Sequence, residues 1–105
     1  MVGQPVQKKK SVKNPIKDTL TLHGFEGCRY FNAAVHAANI YKTYYPNVMI
    51  EIKQVPRNMW ENSIKTHAHA KGIVHTTSPL IFYNTTYIGG HDSLIAQLKK
   101  PKPFT

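Results

Sequence analysis

The sequence has one cysteine, few acidic side chains and no long apolar run. Cys28 is the only cysteine among 105 residues, so the chain cannot form an internal disulfide. This cysteine usage favours a reducing compartment, either the cytoplasm or another one such as the mitochondrial matrix. No apolar stretch approaches the roughly 20 residues of a membrane-spanning helix. We also expect no secretory signal, because no apolar segment follows the first lysines.

Basic residues outnumber acidic ones by 14 to 5, which gives a formal net charge of +9. Residues 1–17 contain five lysines and no acid, and residues 99–103 contain three more lysines. We predict a basic N-terminal arm at 1–17 and a basic C-terminal tail at 100–105, both mobile in the free protein. Such segments either attract phosphate-rich surfaces, anionic lipids or acidic partners, or they only keep the protein soluble. Residues 1–17 hold no arginine, which mitochondrial presequences favour.

Apolar periodicity predicts one domain over residues 18–99 with the element order β-α-β-α-β-β-α. Asn58 and Glu61 resemble a capping box for the second helix, and Asp92 is the predicted N-cap of the third. Because a helix joins the first two strands, these strands should be parallel, whereas the last two should form an antiparallel hairpin. The predicted strands are 19–23, 48–55, 80–83 and 86–88, and the predicted helices are 30–45, 58–70 and 92–99.

Cys28 stands between the first predicted strand and the first predicted helix. Unpaired amides at a helix N-terminus carry roughly +0.5 of an elementary charge and favour a thiolate over a thiol. A cysteine at a helix start can therefore have its pKa lowered from about 8.5 towards 3.5–7.5, which makes it a nucleophile at neutral pH. The alternative is a small buried apolar residue without reactivity.

Three short motifs stand at boundaries of the predicted elements. They are, in chain order, Cys28-Arg29-Tyr30-Phe31, Thr77-Ser78-Pro79 and Tyr87-Ile88-Gly89-Gly90-His91-Asp92. These motifs resemble the Cys-Pro-Tyr-Cys active site, the Thr-Val-Pro segment with its cis-proline, and the Tyr-Ile-Gly-Gly-x-Asp segment of the glutaredoxins, a branch of the thioredoxin fold. The resemblance covers residues 18–99 and implies an α/β fold with a central four-stranded mixed sheet and helices on both faces.

The chain also departs from the glutaredoxin pattern at four positions. Phe31 replaces the second cysteine, and Arg29 replaces the proline of the active-site motif. Phe25 stands where many glutaredoxins have a lysine, and Thr76 stands where a basic residue is common. Both missing positive charges would ordinarily help to hold the glycyl carboxylate of glutathione.

The resemblance implies a glutathione-dependent thiol-disulfide oxidoreductase that removes glutathione from proteins. Cys28 would be the nucleophile, and because Phe31 replaces the second cysteine, the reaction would follow a one-thiol route with glutathione as co-substrate. A cis bond before Pro79 would turn the Ser78 backbone towards the cysteinyl part of glutathione. The residues implied to bind glutathione are Arg29, Tyr30, Thr77, Ser78, Pro79, Gly90, His91, Asp92 and Ser93.

Several of these residues have plainer interpretations. Arg29 could be a solvated arginine, Tyr30 a surface tyrosine, Pro79 the start of a strand after a trans bond, and Asp92 an N-cap that needs no ligand. We predict no metal site, because two histidines that are two residues apart, such as those at 67 and 69, lie on different faces of a helix.

Two other functions remain open from the sequence. The domain could be a non-catalytic or weakly active subunit of a larger protein or ribonucleoprotein assembly, such as a respiratory complex or ribosome, anchored by its lysine-rich ends. It could also carry an iron-sulfur cluster shared between two chains, but relatives that do so usually have a glycine where Arg29 stands, so we expect no cluster. The expected partners of the enzyme are glutathione and glutathionylated proteins.

Overall fold

A computed structural model describes residues 18–105; the basic arm predicted at 1–17 lies outside the described residues. The order of elements is β-α-β-α-β-β-α, as the sequence predicts. Single turns of 3-10 helix at Arg57–Met59 and His69–Lys71 flank the second helix. The elements are β1 (Thr19–Phe25), α1 (Arg29–Tyr44), β2 (Met49–Val55), α2 (Trp60–His67), β3 (Leu80–Tyr83), β4 (Thr86–Gly89) and α3 (His91–Leu98).

The four strands form one mixed sheet in the order β2-β1-β3-β4. β1 pairs in parallel with β2, and β3 pairs antiparallel with both β1 and β4. The predicted parallel pair and the predicted hairpin are therefore both confirmed. In the register, Leu22 of β1 lies opposite Ile52 of β2 and Ile81 of β3. This topology is that of a thioredoxin-like α/β fold.

Helices cover both faces of the sheet. Successive side chains of a strand point to opposite faces, so the strands contribute apolar residues to a core on each side. Leu20 and Leu22 of β1 face α1 and α3 and belong to the larger apolar core. The smaller core on the other face joins β3 to the α2 region, where Trp60, Ile64 and Ala68 form the buried stripe that the sequence predicts. Within residues 18–105, no helix has the length and hydropathy that crossing a bilayer requires.

The predicted capping box at Asn58 and Glu61 is wrong. Asn58 lies inside a 3-10 turn, and Met59 occupies the N-cap position of α2 without a side-chain hydrogen bond. The reason is Pro56, whose carbonyl accepts a hydrogen bond from the Met59 N–H at 2.9 Å and starts the tight turn early. α2 also ends at His67, three residues before the predicted end, and a 3-10 turn completes the segment.

The predicted N-cap of the last helix is also wrong. Gly90 is the N-cap of α3, because its carbonyl accepts the first intrahelical bond from the Leu94 N–H at 3.1 Å. Asp92 instead lies in the first turn, where its negative charge complements the helix dipole. α3 ends at Leu98, one residue earlier than predicted.

The C-terminal segment packs on the domain, whereas a mobile tail was expected at 100–105. The Phe104 ring stacks on Tyr83 with a centroid distance of 4.2 Å, and it meets Tyr41 edge-on at 5.6 Å. The Phe104 N–H also donates to Gln97 Oε1 at 2.9 Å. Lysine content alone predicts mobility, but it does not take account of Phe104, whose ring contacts the sheet and α1.

A buried histidine pair lies on the α2 face of the sheet. His23 of β1 is only 5% exposed, and its ring stacks on His67 with a centroid distance of 4.3 Å. Burial is the main cause that lowers the pKa of His23 from 6.5 to about 4, and the charges of His67, Lys53 and Lys71 add to it. Burial and the same two lysines also lower the pKa of His67. His23 is therefore held in its uncharged form at neutral pH.

We expect this pair to make the fold sensitive to mild acid. The folded pKa of His23 lies below its unfolded value, so the unfolded state binds more protons between pH 6.5 and 4. Stability should be complete above pH 6.5 and fall as the pH drops towards 4. Urea unfolding at several pH values measures this slope, and the slope should become shallower in His23→Leu. An equal slope in the variant would show that His23 does not cause the effect.

Candidate functional site

Cys28 lies at the N-cap of α1, directly after a turn in which Gly27 has a positive φ of 82°. Its N–H donates to the Phe25 carbonyl at 3.2 Å, and its own carbonyl accepts the Asn32 N–H at 3.0 Å. The predicted position of the thiol at a helix start is therefore confirmed. The residue is 9% exposed, and its Sγ lies 3.7 Å from the Ser78 carbonyl oxygen.

The segment that faces Cys28 begins with a cis bond between Ser78 and Pro79, as the motif predicts. Ser78 Oγ accepts a hydrogen bond from the Phe25 N–H at 3.4 Å, which ties this segment to the end of β1. Pro79 is buried behind the turn. The Ser78 carbonyl therefore lies beside the Cys28 sulfur.

His75 fixes the shape of this segment, a role that the sequence analysis did not assign. Its Nε2 lies 2.8 Å from the Thr77 carbonyl oxygen and 2.9 Å from the Pro79 carbonyl oxygen. Its Nδ1 lies 2.7 Å from the hydroxyl of Tyr87. These partners fit the tautomer in which Nε2–H donates to both carbonyls and Nδ1 accepts from the tyrosine. One side chain thus links the turn to β4.

The start of α3 supplies the third part of the site. The first amides of a helix have no intrahelical acceptor, and here they belong to His91, Asp92 and Ser93. His91 Nδ1 lies 2.9 Å from the exposed Asp92 carboxylate. The rings of Tyr30 and His91 lie 5.9 Å apart, so α1 and α3 approach each other here.

These three parts enclose a cleft of about 320 Å³, near the lower end of the range for ligand pockets. All seven residues that line it were predicted to bind a ligand. Of the other predicted residues, Pro79 is buried behind the cleft and Arg29 is an exposed residue that does not line it. Cys28 does not line the cleft either, but its sulfur contacts Ser78, which does. The lining residues are Tyr30, Thr77, Ser78, Gly90, His91, Asp92 and Ser93.

A second cleft of about 440 Å³ lies on the α2 side, and sequence reasoning missed it. Its lining includes Phe25 and Thr76, which stand at the two positions where the glutaredoxin pattern has a basic residue. The guanidinium of Arg57 lies 4.7 Å above the Phe25 ring, in a cation–π contact. Trp60 Nε1–H donates to the Thr76 carbonyl at 3.0 Å and closes the back of the cleft.

Arg57 therefore places a positive charge beside Phe25, one of the two positions where the glutaredoxin pattern has a basic residue and this chain has none. It comes from the turn after β2, and β2 ends next to β1 because Val55 pairs with Phe25 in the parallel ladder. Because that parallel pairing was predicted, the sequence could have placed Arg57, which directly follows Pro56, near Phe25. Thr76 lines this second cleft, and its neighbour Thr77 lines the first.

The six histidines do not assemble a metal site in the part of the chain that the structure describes. His69 Nε2 bonds to the His75 carbonyl, whereas His67 stacks on His23. Within residues 18–105, no three metal-ligating side chains lie together.

Comparison with known proteins gives neither a matching family model nor a matching curated protein. The function must therefore be argued from the site. The first cleft offers helix amides and the Asp92 carboxylate, and it adjoins the Cys28 thiol through Ser78. The second cleft offers the Arg57 guanidinium together with the Glu61 carboxylate. The first cleft can hold a charged end of a small zwitterionic peptide beside the thiol.

Proposed function

We propose that this protein is a glutathione-dependent thiol-disulfide oxidoreductase that removes glutathione from proteins. The observation that supports the proposal best is the first cleft, since all of its lining residues are predicted glutathione contacts and it adjoins the Cys28 sulfur. The proposed activity belongs in a reducing compartment that contains glutathione.

The γ-glutamyl end of glutathione would occupy the start of α3. Its carboxylate would accept hydrogen bonds from the amides of Asp92 and Ser93, which the positive end of the helix dipole strengthens. Its ammonium group would pair with the exposed Asp92 carboxylate. Because His91 Nδ1 already contacts Asp92 Oδ1, the carboxylate is oriented before the ligand arrives.

The cysteinyl part would lie along the Ser78 main chain. The Ser78 carbonyl oxygen is 3.7 Å from Cys28 Sγ, so a peptide that pairs with Ser78 brings its sulfur next to the thiol. His75 holds the carbonyls on either side of Ser78 and thereby keeps this edge in place.

The glycyl carboxylate would reach the second cleft, where Arg57 can form a charge-assisted hydrogen bond with it. The Phe25 ring beneath the guanidinium limits where Arg57 can lie. The two charged ends of the tripeptide would thus be held by different elements, on either side of the sulfur.

The reaction needs only one protein thiol. The Cys28 thiolate attacks the glutathione sulfur of a mixed disulfide, a new sulfur–sulfur bond forms, and the substrate protein leaves as a thiolate. A glutathione thiolate then attacks the Cys28–glutathione disulfide and releases glutathione disulfide and the Cys28 thiolate. In sum, the mixed disulfide and one free glutathione become the free protein thiol and glutathione disulfide, so one disulfide bond is exchanged for another.

The proposal is tested by turnover of a glutathionylated peptide in the presence of glutathione and a coupled glutathione reductase. We expect saturable turnover that depends on both the peptide and glutathione. Peptide release no faster than with free glutathione alone would refute the proposed activity.

Arg57→Ala tests the second cleft separately. We expect the KM for the glutathionylated peptide to rise about tenfold, because a hydrogen bond to a charged group is lost, while the thermal midpoint stays unchanged. Arg57→Lys should restore part of the affinity, and Lys65→Ala, which removes an exposed cation from α2, should change nothing. An unchanged KM in Arg57→Ala would show that the glycyl end does not bind there.

A second candidate function is supported by the low exposure of Cys28. With 9% of its surface accessible, the residue also fits a packing role in a non-catalytic subunit of a larger assembly. The same turnover experiment separates the two, because a subunit of this kind would not accelerate the release of glutathione.

A further inference from the structure

A groove of about 380 Å³ lies at the opposite end of the domain from the thiol. Cys28 directly precedes α1, whereas Tyr44 is the last residue of this helix. A helix of 16 residues is about 24 Å long, so the groove and the thiol lie far apart. The groove runs between the C-terminal half of α1 and the segment after α3. Its walls include Ile40, Tyr41, Tyr44, Tyr45, Lys100 and Pro103.

Aromatic rings dominate the exposed part of this groove. Tyr44 is 75% exposed, Ile40 is 48% exposed and Tyr45 is 46% exposed. Tyr41 and Tyr45 stack on each other with a centroid distance of 4.5 Å. Exposed apolar groups concentrated in one groove are typical of binding surfaces.

Lysines of the C-terminal segment lie at this groove. Lys100 lines it, and Lys99 and Lys102 are its close neighbours in the chain. Three lysines within residues 99–102 therefore place positive charge beside the exposed tyrosines.

One carboxylate, that of Asp18, lines an adjoining cleft that shares Tyr41 and Tyr45 with the groove. It accepts hydrogen bonds from the Tyr83 hydroxyl at 2.5 Å and from Asn84 Nδ2 at 3.2 Å, which hold it on the β3 side. Among the described residues, none of those lining the tyrosine groove is acidic. The groove thus combines flat exposed rings with positive charge, and it suits a polyanion that carries flat apolar groups.

We propose that the tyrosine groove binds single-stranded nucleic acid. Unpaired bases stack on Tyr44 and Tyr45, and Lys99, Lys100 and Lys102 contact phosphates. A duplex fits less well, because its bases are already stacked on each other and present no free face. The proposal is independent of the chemistry proposed for Cys28.

The test is fluorescence anisotropy of a labelled oligothymidylate of about 12 nucleotides with the full chain. We expect binding that weakens as salt increases. Tyr44→Ala should weaken it about tenfold, and Tyr44→Phe should retain it, because the ring supplies the stacking surface. Lys100→Ala should reduce the salt dependence by about one phosphate contact, whereas Lys65→Ala on α2 should not.

Three further probes decide between this partner and others. An abasic strand of equal length, a duplex and an oligoglutamate peptide should all bind more weakly than the oligothymidylate, and Tyr44→Ala should not weaken them further. Equal binding of the abasic strand or the oligoglutamate would overturn the proposal, since charge alone would then explain it. No binding of the oligothymidylate at low salt, or full binding by Tyr44→Ala, would also overturn it.

Discussion

Replacement of Cys28 by serine is expected to reduce deglutathionylation to the rate that free glutathione achieves alone. A serine hydroxyl at neutral pH is not an adequate nucleophile towards a disulfide, whereas a thiolate is. The fold should survive, because serine is close to cysteine in size and its hydroxyl can donate to the nearby Ser78 carbonyl. The measurement is the rate of release from a glutathionylated peptide, with thermal unfolding as the control for folding.

Cys28→Ala provides a second test that does not introduce a hydroxyl. Both variants should retain any affinity for glutathione disulfide, since the binding contacts lie on other residues. Full activity in either variant would place the nucleophile outside this protein and remove the basis of the proposed mechanism.

Truncation of Phe31 to alanine is expected to be the most destabilising single change in the domain. Phe31 is fully buried in the larger core, and its ring covers Gly24 of β1 so closely that a Cβ on Gly24 would overlap it. Removal of a buried phenylalanine ring costs about 3–5 kcal/mol of unfolding free energy, because it leaves a cavity. In a domain of this size, that loss lowers the Tm by about 15 °C or more.

Urea unfolding measures this loss, and the adjacent residue provides a matched control. Tyr30→Ala also removes an aromatic ring from the first turn of α1, but Tyr30 is exposed, so the expected change is within about 0.5 kcal/mol. Phe31→Leu should lie between the two and remains folded enough to measure. Equal stability of Phe31→Ala and Tyr30→Ala would contradict the packing described here.

Local patterns in the sequence were sufficient for the order of elements and for most of the first cleft. Strand alternation and helical spacing depend on neighbouring residues, so β1, α1 and the hairpin were predicted nearly to their ends. The three motifs, with Ser93 directly after the last of them, contain all seven residues that the structure brings together in the first cleft. Helix caps were predicted less well: Pro56 and Gly90 displaced the expected caps by one or more residues.

Most side-chain contacts between residues far apart in the sequence were not predictable. Phe104 stacks on Tyr83 only once the sheet exists, and the tyrosine groove needs α1 and the segment after α3 to meet. Their residue types gave no local sign of these partners. Arg57 is the exception, because the predicted pairing of β1 with β2 already brings it near Phe25.

The close packing of Phe31 over Gly24 has a consequence for how this site could change. A cysteine at position 31 would introduce a second thiol near Cys28, but it would leave an unfilled space above Gly24. A larger residue at position 24 would fill that space, yet it cannot be accommodated while the phenylalanine ring is present. Each single step on the route to a dithiol site therefore passes through a less stable protein, so engineering that route calls for both substitutions at once.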